Sequence, residues 1–289
     1  MSATSSSPTK RLYSFDQFDV FEELGHGAYG AVYRGVDKLT KKQVAIKQVD
    51  LESDEDILEF KNEIALLSMC NSDHITKYYG CFVKGFKLWI IMEFLPGGSL
   101  ADLIVPGPFK ESVISKICYE LVLALNYLHE TGKIHRDLKP GNILIGENFE
   151  VKIADFGVST QLSNKLSIRN TYIGTPYYMA PEVILHQNYN FRADIWSLGI
   201  TLLEIANGRP PLSEYHPMQV VYIIEKNQPP RLIGEEFSAT FKDFIECCLQ
   251  RDPNKRLSTK QLLKHKFCIK GSKVSIQEIA ELVERRKLW

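Results

Sequence analysis

Four polar residues in one stretch of this 289-residue chain have the types and spacing to handle a cation, a phosphate and a proton: Asp137, Lys139, Asn142 and Asp155. Carboxylates and an amide offer the hard oxygens that suit Mg²⁺, which commonly shares its coordination with phosphates. A carboxylate can also orient a hydroxyl and accept its proton. A lysine can meet charge developing on a phosphoryl group. These side chains act together only if the fold gathers them. The short apolar runs at 143–145 and 151–154 flank a turn at 146–149, so the sequence predicts a β-hairpin. One polar loop (135–142) then precedes the first strand and another (155–157) follows the second, at the same end of the hairpin.

The rest of the chain must support that hairpin. Its length allows a large core, as one big domain or two lobes. Lys plus Arg and Asp plus Glu both number 35, so the net charge is zero. There is no global basic field of the kind that attracts nucleic acid or a membrane. No run of about 18 apolar residues offers a membrane span, and the N-terminus lacks the apolar core of a signal peptide. The six cysteines form no CxxC pair, which points to reduced thiols in a cytoplasmic protein. Residues 1–17 are assigned to a disordered N-terminal tail, the first twelve being Ser/Thr-rich without apolar periodicity.

A strand is predicted over 18–24, followed by Gly25-His26-Gly27-Ala28-Tyr29-Gly30. Such glycines let backbone amides approach phosphate oxygens. The pattern alone would also suit a dinucleotide-binding turn, but there a helix follows the glycines. Here 31–36 alternates as a second strand and 43–49 as a third. Lys47, on that otherwise apolar third strand, needs an anionic partner, because burying an unpaired ammonium is costly. A helix is predicted over 53–69, with acids near its positive end. Its Glu63 is the candidate partner of Lys47, with Glu59 as the alternative in another register. Strands over 75–83 and 88–94 complete a five-stranded antiparallel sheet. Beyond them the pattern is mainly helical: 111–131, 194–206, 218–226, 239–250 and 259–265. The segment 194–206 is apolar almost all round and should be the buried central helix. A last amphipathic helix, over 275–289, places Ile276, Ile279, Leu282 and Val283 on one face.

The pair H-R-D-x-x-x-x-N (135–142) and D-F-G (155–157) is the protein-kinase signature, and over about residues 18–268 the chain resembles a eukaryotic protein kinase. The resemblance implies an α+β, bilobal kinase fold. A sheet-and-one-helix N-lobe would span 18–94, a mainly helical C-lobe 95–270, and a C-terminal helix 271–289. It implies ATP and Mg²⁺ as cofactors. Leu24, Gly25, His26, Gly27, Ala28, Gly30 and Val32 would form the nucleotide-covering loop, and Lys47 would hold the α- and β-phosphates. Met92 would be the gatekeeper, and backbone groups of Glu93 and Leu95 would meet the adenine. Val32, Ala45 and Leu144 would sandwich it. Asn142 and Asp155 would bind Mg²⁺, Asp137 would orient the acceptor hydroxyl, and Lys139 would stabilise the γ-phosphate. Asp194 would hold the backbone of the catalytic loop.

Lys139, with Gly174-Thr175 ahead of Ala180-Pro181-Glu182, resembles the serine/threonine kinases, whose partners are protein substrates with Ser/Thr acceptors. Thr175 would contact Asp137 and Lys139. Gly141, where basic-directed kinases often carry glutamate, argues against an arginine-rich substrate motif. Arg136 has charge that a phosphate on the activation segment could satisfy. Thr171 is the expected phosphosite, with Ser159, Thr160, Ser163 and Ser167 as rivals. Glu182 is expected to pair with Arg256. The catalytic and 174–182 motifs are similar to those of sterile-twenty-like germinal-centre kinases, although Tyr177-Tyr178 stands where many members have Phe-Trp. The last helix resembles that of group III members, which implies a helical-repeat scaffold of the mouse-protein-25 type as a partner. Kinases of this kind usually carry a long regulatory tail, so the sequence is expected to be an excised catalytic fragment.

Overall fold

The computed structural model describes residues 13–27, 30–51, 70–155 and 176–289. They form two compact units. The first holds the described residues up to Cys70 together with Lys77–Phe94, and the second holds Asn71–Thr76 and Leu95–Trp289. The expected helix over 53–69, with Glu63 and Glu59, lies outside the described residues.

The first unit is a five-stranded antiparallel sheet in the order β1-β2-β3-β5-β4, with β1 Phe18–Gly27, β2 Gly30–Asp37, β3 Gln43–Asp50, β4 Tyr78–Lys84 and β5 Lys87–Glu93. Strand alternation sorts its side chains onto two faces. Val44 and Ile46 share one face with Phe82, Trp89 and Ile91, where they build an apolar cluster with Phe18. Lys47, paired with Val32 and Ile90, shares the other face with Ala45, which pairs with Met92. Residues 13–17, assigned to the N-terminal tail, are instead packed. Phe15–Gln17 form a short 3-10 helix, Phe15 meets the edge of Trp89 at 5.1 Å between ring centroids, and Tyr13 stacks on Phe18 at 5.9 Å. The two aromatics cover an apolar sheet face that would otherwise meet water.

The strand predicted over 75–83 begins only at Tyr78. Residues 71–76 belong to the second unit. Ile75 bridges Ile153, Thr76 N–H donates to Ile153 O at 3.0 Å and Ile153 N–H donates to His74 O at 2.9 Å. Tyr127 Oη accepts from Asn71 N–H at 2.9 Å, and the His74 ring meets Glu120 at 3.0 Å. Burial alone would raise the Glu120 pKa, but His74 and Lys116 hold it below the ordinary range.

The second unit contains a hairpin, β6 Ile143–Ile145 and β7 Val151–Ile153, and helices α1 Leu100–Leu103, α2 Glu111–Glu130, α3 Pro181–Ile184, α4 Arg192–Asn207, α5 Pro217–Lys226, α6 Ala239–Cys248, α7 Thr259–Leu262, α8 Lys266–Ser272 and α9 Gln277–Leu288. Ser99 and Asp102 close a capping box at the start of α1. Helix α4 is buried from Ala193 to Ala206, as expected of a sequence apolar almost all round. The helix predicted over 259–265 ends at Leu262, and α8 follows without having been predicted. Helix α9 turns Ile279, Leu282 and Val283 inward against α1 and α2. Arg285 fixes it there, donating to Leu103 O, Gly107 O and Pro108 O at 3.2, 2.8 and 3.2 Å. The apolar face is thus largely used within the unit, and Ile276 alone of its four residues stays exposed. Among the described residues, no helix is long and apolar enough to cross a membrane.

Candidate active site

Hairpin β6–β7 does what its sequence predicts. Ile143 pairs with Ile153, and Ala154 N–H donates to Asn142 O at 2.8 Å. The ladder thus closes one residue beyond the strands, with Asn142 and Asp155 emerging at the same end. Asp155 has φ +60, a left-handed conformation that non-glycine residues rarely adopt and that often marks functional positions.

The preceding loop is a hydrogen-bonded unit. Lys139 Nζ donates to both oxygens of Asp137, at 3.1 and 3.0 Å. Asn142 Nδ2 donates to Asp137 O at 2.7 Å and to Asp137 Oδ2 at 2.9 Å. With its nitrogen so engaged, Asn142 has its carbonyl oxygen Oδ1 for a cation. That oxygen and the Asp155 carboxylate form a hard donor set that fits Mg²⁺. The buried His135 accepts from Asp137 N–H at Nδ1 (3.2 Å), so its proton lies on Nε2, which donates to Ala154 O at 3.0 Å. This one neutral ring ties the loop to the end of the hairpin.

Asp194, fully buried at the start of α4, anchors the loop from below. Its Oδ2 accepts from His135 N–H and its Oδ1 from Arg136 N–H, both at 2.9 Å. Arg136 sits at φ +70, a geometry that these two bonds maintain. The loop-holding role implied for Asp194 by the resemblance matches this geometry. The sequence reading missed His129, whose Nε2 lies 2.9 Å from Asp194 Oδ2. A histidine in the last turn of a helix carries no signal of a partner 65 positions away. The exposed Arg136 guanidinium lies 5.2 Å from the ring centre of Tyr189.

Tyr178, one of the two residues that depart from Phe-Trp, is tied to the central helix. Its hydroxyl donates to Glu204 at 2.5 Å, and its carbonyl accepts from Ser197 Oγ at 2.8 Å. Burial and the Glu204 charge raise the Tyr178 phenol far above its ordinary range. Burial also raises Glu204 above its ordinary 4.5, against the opposing pull of the Tyr178 hydrogen bond. A carboxyl whose folded pKa is raised destabilises the fold when ionised, and this cost disappears once pH falls below the unfolded value. Glu204→Gln, which still offers Tyr178 an acceptor, is therefore expected to be more stable than wild type near neutral pH, by about 1 kcal/mol. The advantage should vanish below about pH 4.5, as read from urea midpoints across the range.

The expected tie between Glu182 and Arg256 is present and bidentate, at 2.6 and 2.7 Å. In the first unit, Lys47 is buried on β3, on the same sheet face as Val32, Ala45 and Met92. Gly25 and Gly27 lie on β1 and Gly30 opens β2. Gly30 has φ +130, and a Cβ there would stand 1.9 Å from Gln48 O, so only glycine fits. Leu24 and His26 are exposed on β1, Glu93 ends β5 and donates its N–H to Lys77 O at 2.9 Å. Leu95 and Leu144 belong to the second unit, where Leu144 bridges Ser99. Ala28, Glu63, Thr171 and Thr175 lie outside the described residues, as do the rival phosphosites 159, 160, 163 and 167.

The sequence model of the protein kinase domain family matches residues 18–268. The chain belongs to the protein kinase family. Among its curated relatives, serine/threonine-protein kinase sid1 of Schizosaccharomyces pombe is 48% identical over 254 residues, which is 87% of this chain and 54% of that protein. Serine/threonine-protein kinase dst1 of Dictyostelium discoideum is 46% identical over 272 residues, 93% of this chain and 37% of that protein. This kinase chain thus spans about half of one relative and little more than a third of the other. The germinal-centre class of sterile-twenty-like kinases fits both.

Proposed function

We propose that this chain is a serine/threonine protein kinase that transfers the γ-phosphoryl group of ATP to Ser or Thr hydroxyls of other proteins. The observation that carries the reading is the loop in which Lys139 and Asn142 both bond the Asp137 carboxylate, one ladder step from Asp155. Phosphoryl transfer needs in-line positioning and charge neutralisation more than covalent help. Asp137 orients the acceptor hydroxyl and takes its proton. Lys139 meets negative charge on the transferring group. Asn142 Oδ1 and Asp155 hold Mg²⁺, which supplies neutralisation of the phosphate oxygens when bound. Lys47 holds the α- and β-phosphates with Glu63 as its partner, under the glycine turn of 25–30. Met92, Glu93, Leu95, Val32, Ala45 and Leu144 serve the adenine. Both relatives are named serine/threonine kinases, in keeping with Lys139 and Thr175 as acceptor-type markers.

Regulation follows the same reading. Phosphate on Thr171 pairs with Arg136 and orders the activation segment, and a mouse-protein-25-type scaffold assists. The catalytic body is taken as 18–270, with 271–289 as an appended helix. The free thiols of Cys118, Cys247, Cys248 and Cys268 suit a reducing cytoplasm. Incubating the purified chain with Mg-ATP beside Lys47→Ala tests the proposal. Phosphate gained by wild type alone is the expected intact-mass result, with Thr171 among the sites found by peptide mapping. No phosphate in either protein, even with the scaffold added, would overturn the kinase reading. A Thr171→Ala protein as active as wild type would remove the switch and leave the chemistry standing.

A further inference from the structure

A short basic segment lies outside the chemistry proposed above. Residues 264–274 read Lys-His-Lys-Phe-Cys-Ile-Lys-Gly-Ser-Lys-Val, four lysines and no acid in a chain of zero net charge. Lys266 and Lys270 stand at positions i and i+4 on one side of α8, and Lys273 follows at its C-terminal end. Together with Ile269 and Val274 they line a shallow, open groove on the surface. Lys270 reaches Glu111 at 3.0 Å, but that carboxylate also accepts from Ser238 N–H and Ser238 Oγ. Lys264, Lys266 and Lys273 have no acidic partner among the described residues. Ile269, between the lysines, is 44% exposed.

The helix that carries this surface is held in place. On the opposite side of α8, Phe267, Cys268 and Gly271 are buried, and a Cβ on Gly271 would stand 1.9 Å from Ser115 O on α2. Backbones that close fix the helix in rotation, so α8 cannot roll to bury Ile269 or disperse the lysines.

We propose that this groove docks an acidic segment of a partner protein, with one aliphatic side chain seated on Ile269 and Val274 between the ammonium groups. Charge complementarity selects an acidic occupant. The apolar area between the lysines is confined to two aliphatic side chains, Ile269 and Val274, which suits one side chain of a peptide, whereas membrane-binding elements present a broader apolar face to the lipid. The contact gives the kinase a means of holding a partner at a place separate from the Asp137 loop.

The test uses the full chain and a fluorescein-labelled peptide of Asp and Glu interrupted by single leucines, followed by anisotropy. Saturable binding that weakens with added salt is expected. Lys266→Glu/Lys273→Glu should raise Kd at least about tenfold, and a peptide with serine for leucine should bind several-fold more weakly. The thermal midpoint and the rate on a short Ser/Thr peptide should not change. If the charge reversals lower the thermal midpoint, Lys266→Gln/Lys273→Gln carries the same test. No binding by wild type, or equal binding by the lysine variants, would overturn the proposal. So would capture of the chain by phosphatidylserine vesicles through these lysines without peptide binding, which would assign the patch to a lipid surface.

Discussion

Asp137→Asn is expected to lower kcat for phosphoryl transfer by roughly 10²–10⁴-fold while KM for Mg-ATP stays within a few-fold of wild type. The substitution is nearly isosteric, so Lys139 can still donate to the remaining oxygen. What is lost is the basic oxygen that takes the proton of the acceptor hydroxyl. The side chain is about a quarter exposed and lies at the mouth of the loop, so its charge is not essential to packing. The thermal midpoint should therefore move little. Steady-state kinetics on a Ser/Thr peptide beside a thermal melt separates the two effects. An unchanged kcat would remove Asp137 from the chemistry. A fall in kcat with an equal collapse of stability would make it a structural residue.

Arg256→Leu is expected to cost about 3–5 kcal/mol of unfolding free energy, enough to unfold many domains of ordinary stability. Arg256 is 1% exposed and places its donors with little waste. Two meet Glu182, and others meet Gln250 O at 2.7 Å and Arg192 O at 2.9 Å. Its guanidinium also lies 5.1 Å from the centre of the Trp196 ring. Leucine would leave the buried Glu182 carboxylate without its counter-charge and two carbonyls without donors. Replacing both partners, Glu182→Leu/Arg256→Leu, should recover only part of the loss, because it removes the orphaned charge and leaves the orphaned carbonyls. Arg256→Lys should fall between, since one ammonium cannot supply a planar fork. Urea unfolding of the four proteins gives the order. A loss below about 1 kcal/mol for Arg256→Leu would mean that water or a neighbour replaces the arginine.

What the sequence made legible was periodic or local. The β6–β7 hairpin could be read because its register follows from two short apolar runs and one turn. The sharing of one sheet face by Lys47, Val32 and Ala45 follows from strand alternation. Helix α4 could be read because apolar residues run almost all round it, although that pattern gave no sign of partners for the buried stripe of Asp194, Ser197, Thr201 and Glu204. The misses each depended on a distant partner. Residues 13–17 precede the first periodic strand, and only the aromatic cluster of Phe18, Phe82 and Trp89 gives Tyr13 and Phe15 somewhere to pack. Residues 75–77 have strand character, yet Ile75 and Thr76 spend it on β7 instead of β5. The amphipathic pattern of α9 was visible, but whether its apolar side met a partner or α1 and α2 was decided by Arg285 and the carbonyls of Leu103, Gly107 and Pro108. Tyr178 and Glu204 are 26 positions apart, and neither residue type signals the other.

The placement of residues 71–76 also governs how the chain could be cut. The backbone passes from one unit to the other between Cys70 and Asn71, returns between Thr76 and Lys77, and leaves again between Phe94 and Leu95. The two bodies are therefore joined by three covalent crossings, and a protease cutting once after Phe94 would leave two intact. No single cleavage divides the chain into its units. A recombinant piece ending at residue 94 would carry Asn71, His74 and Thr76 without their hydrogen-bond partners Tyr127 and Ile153.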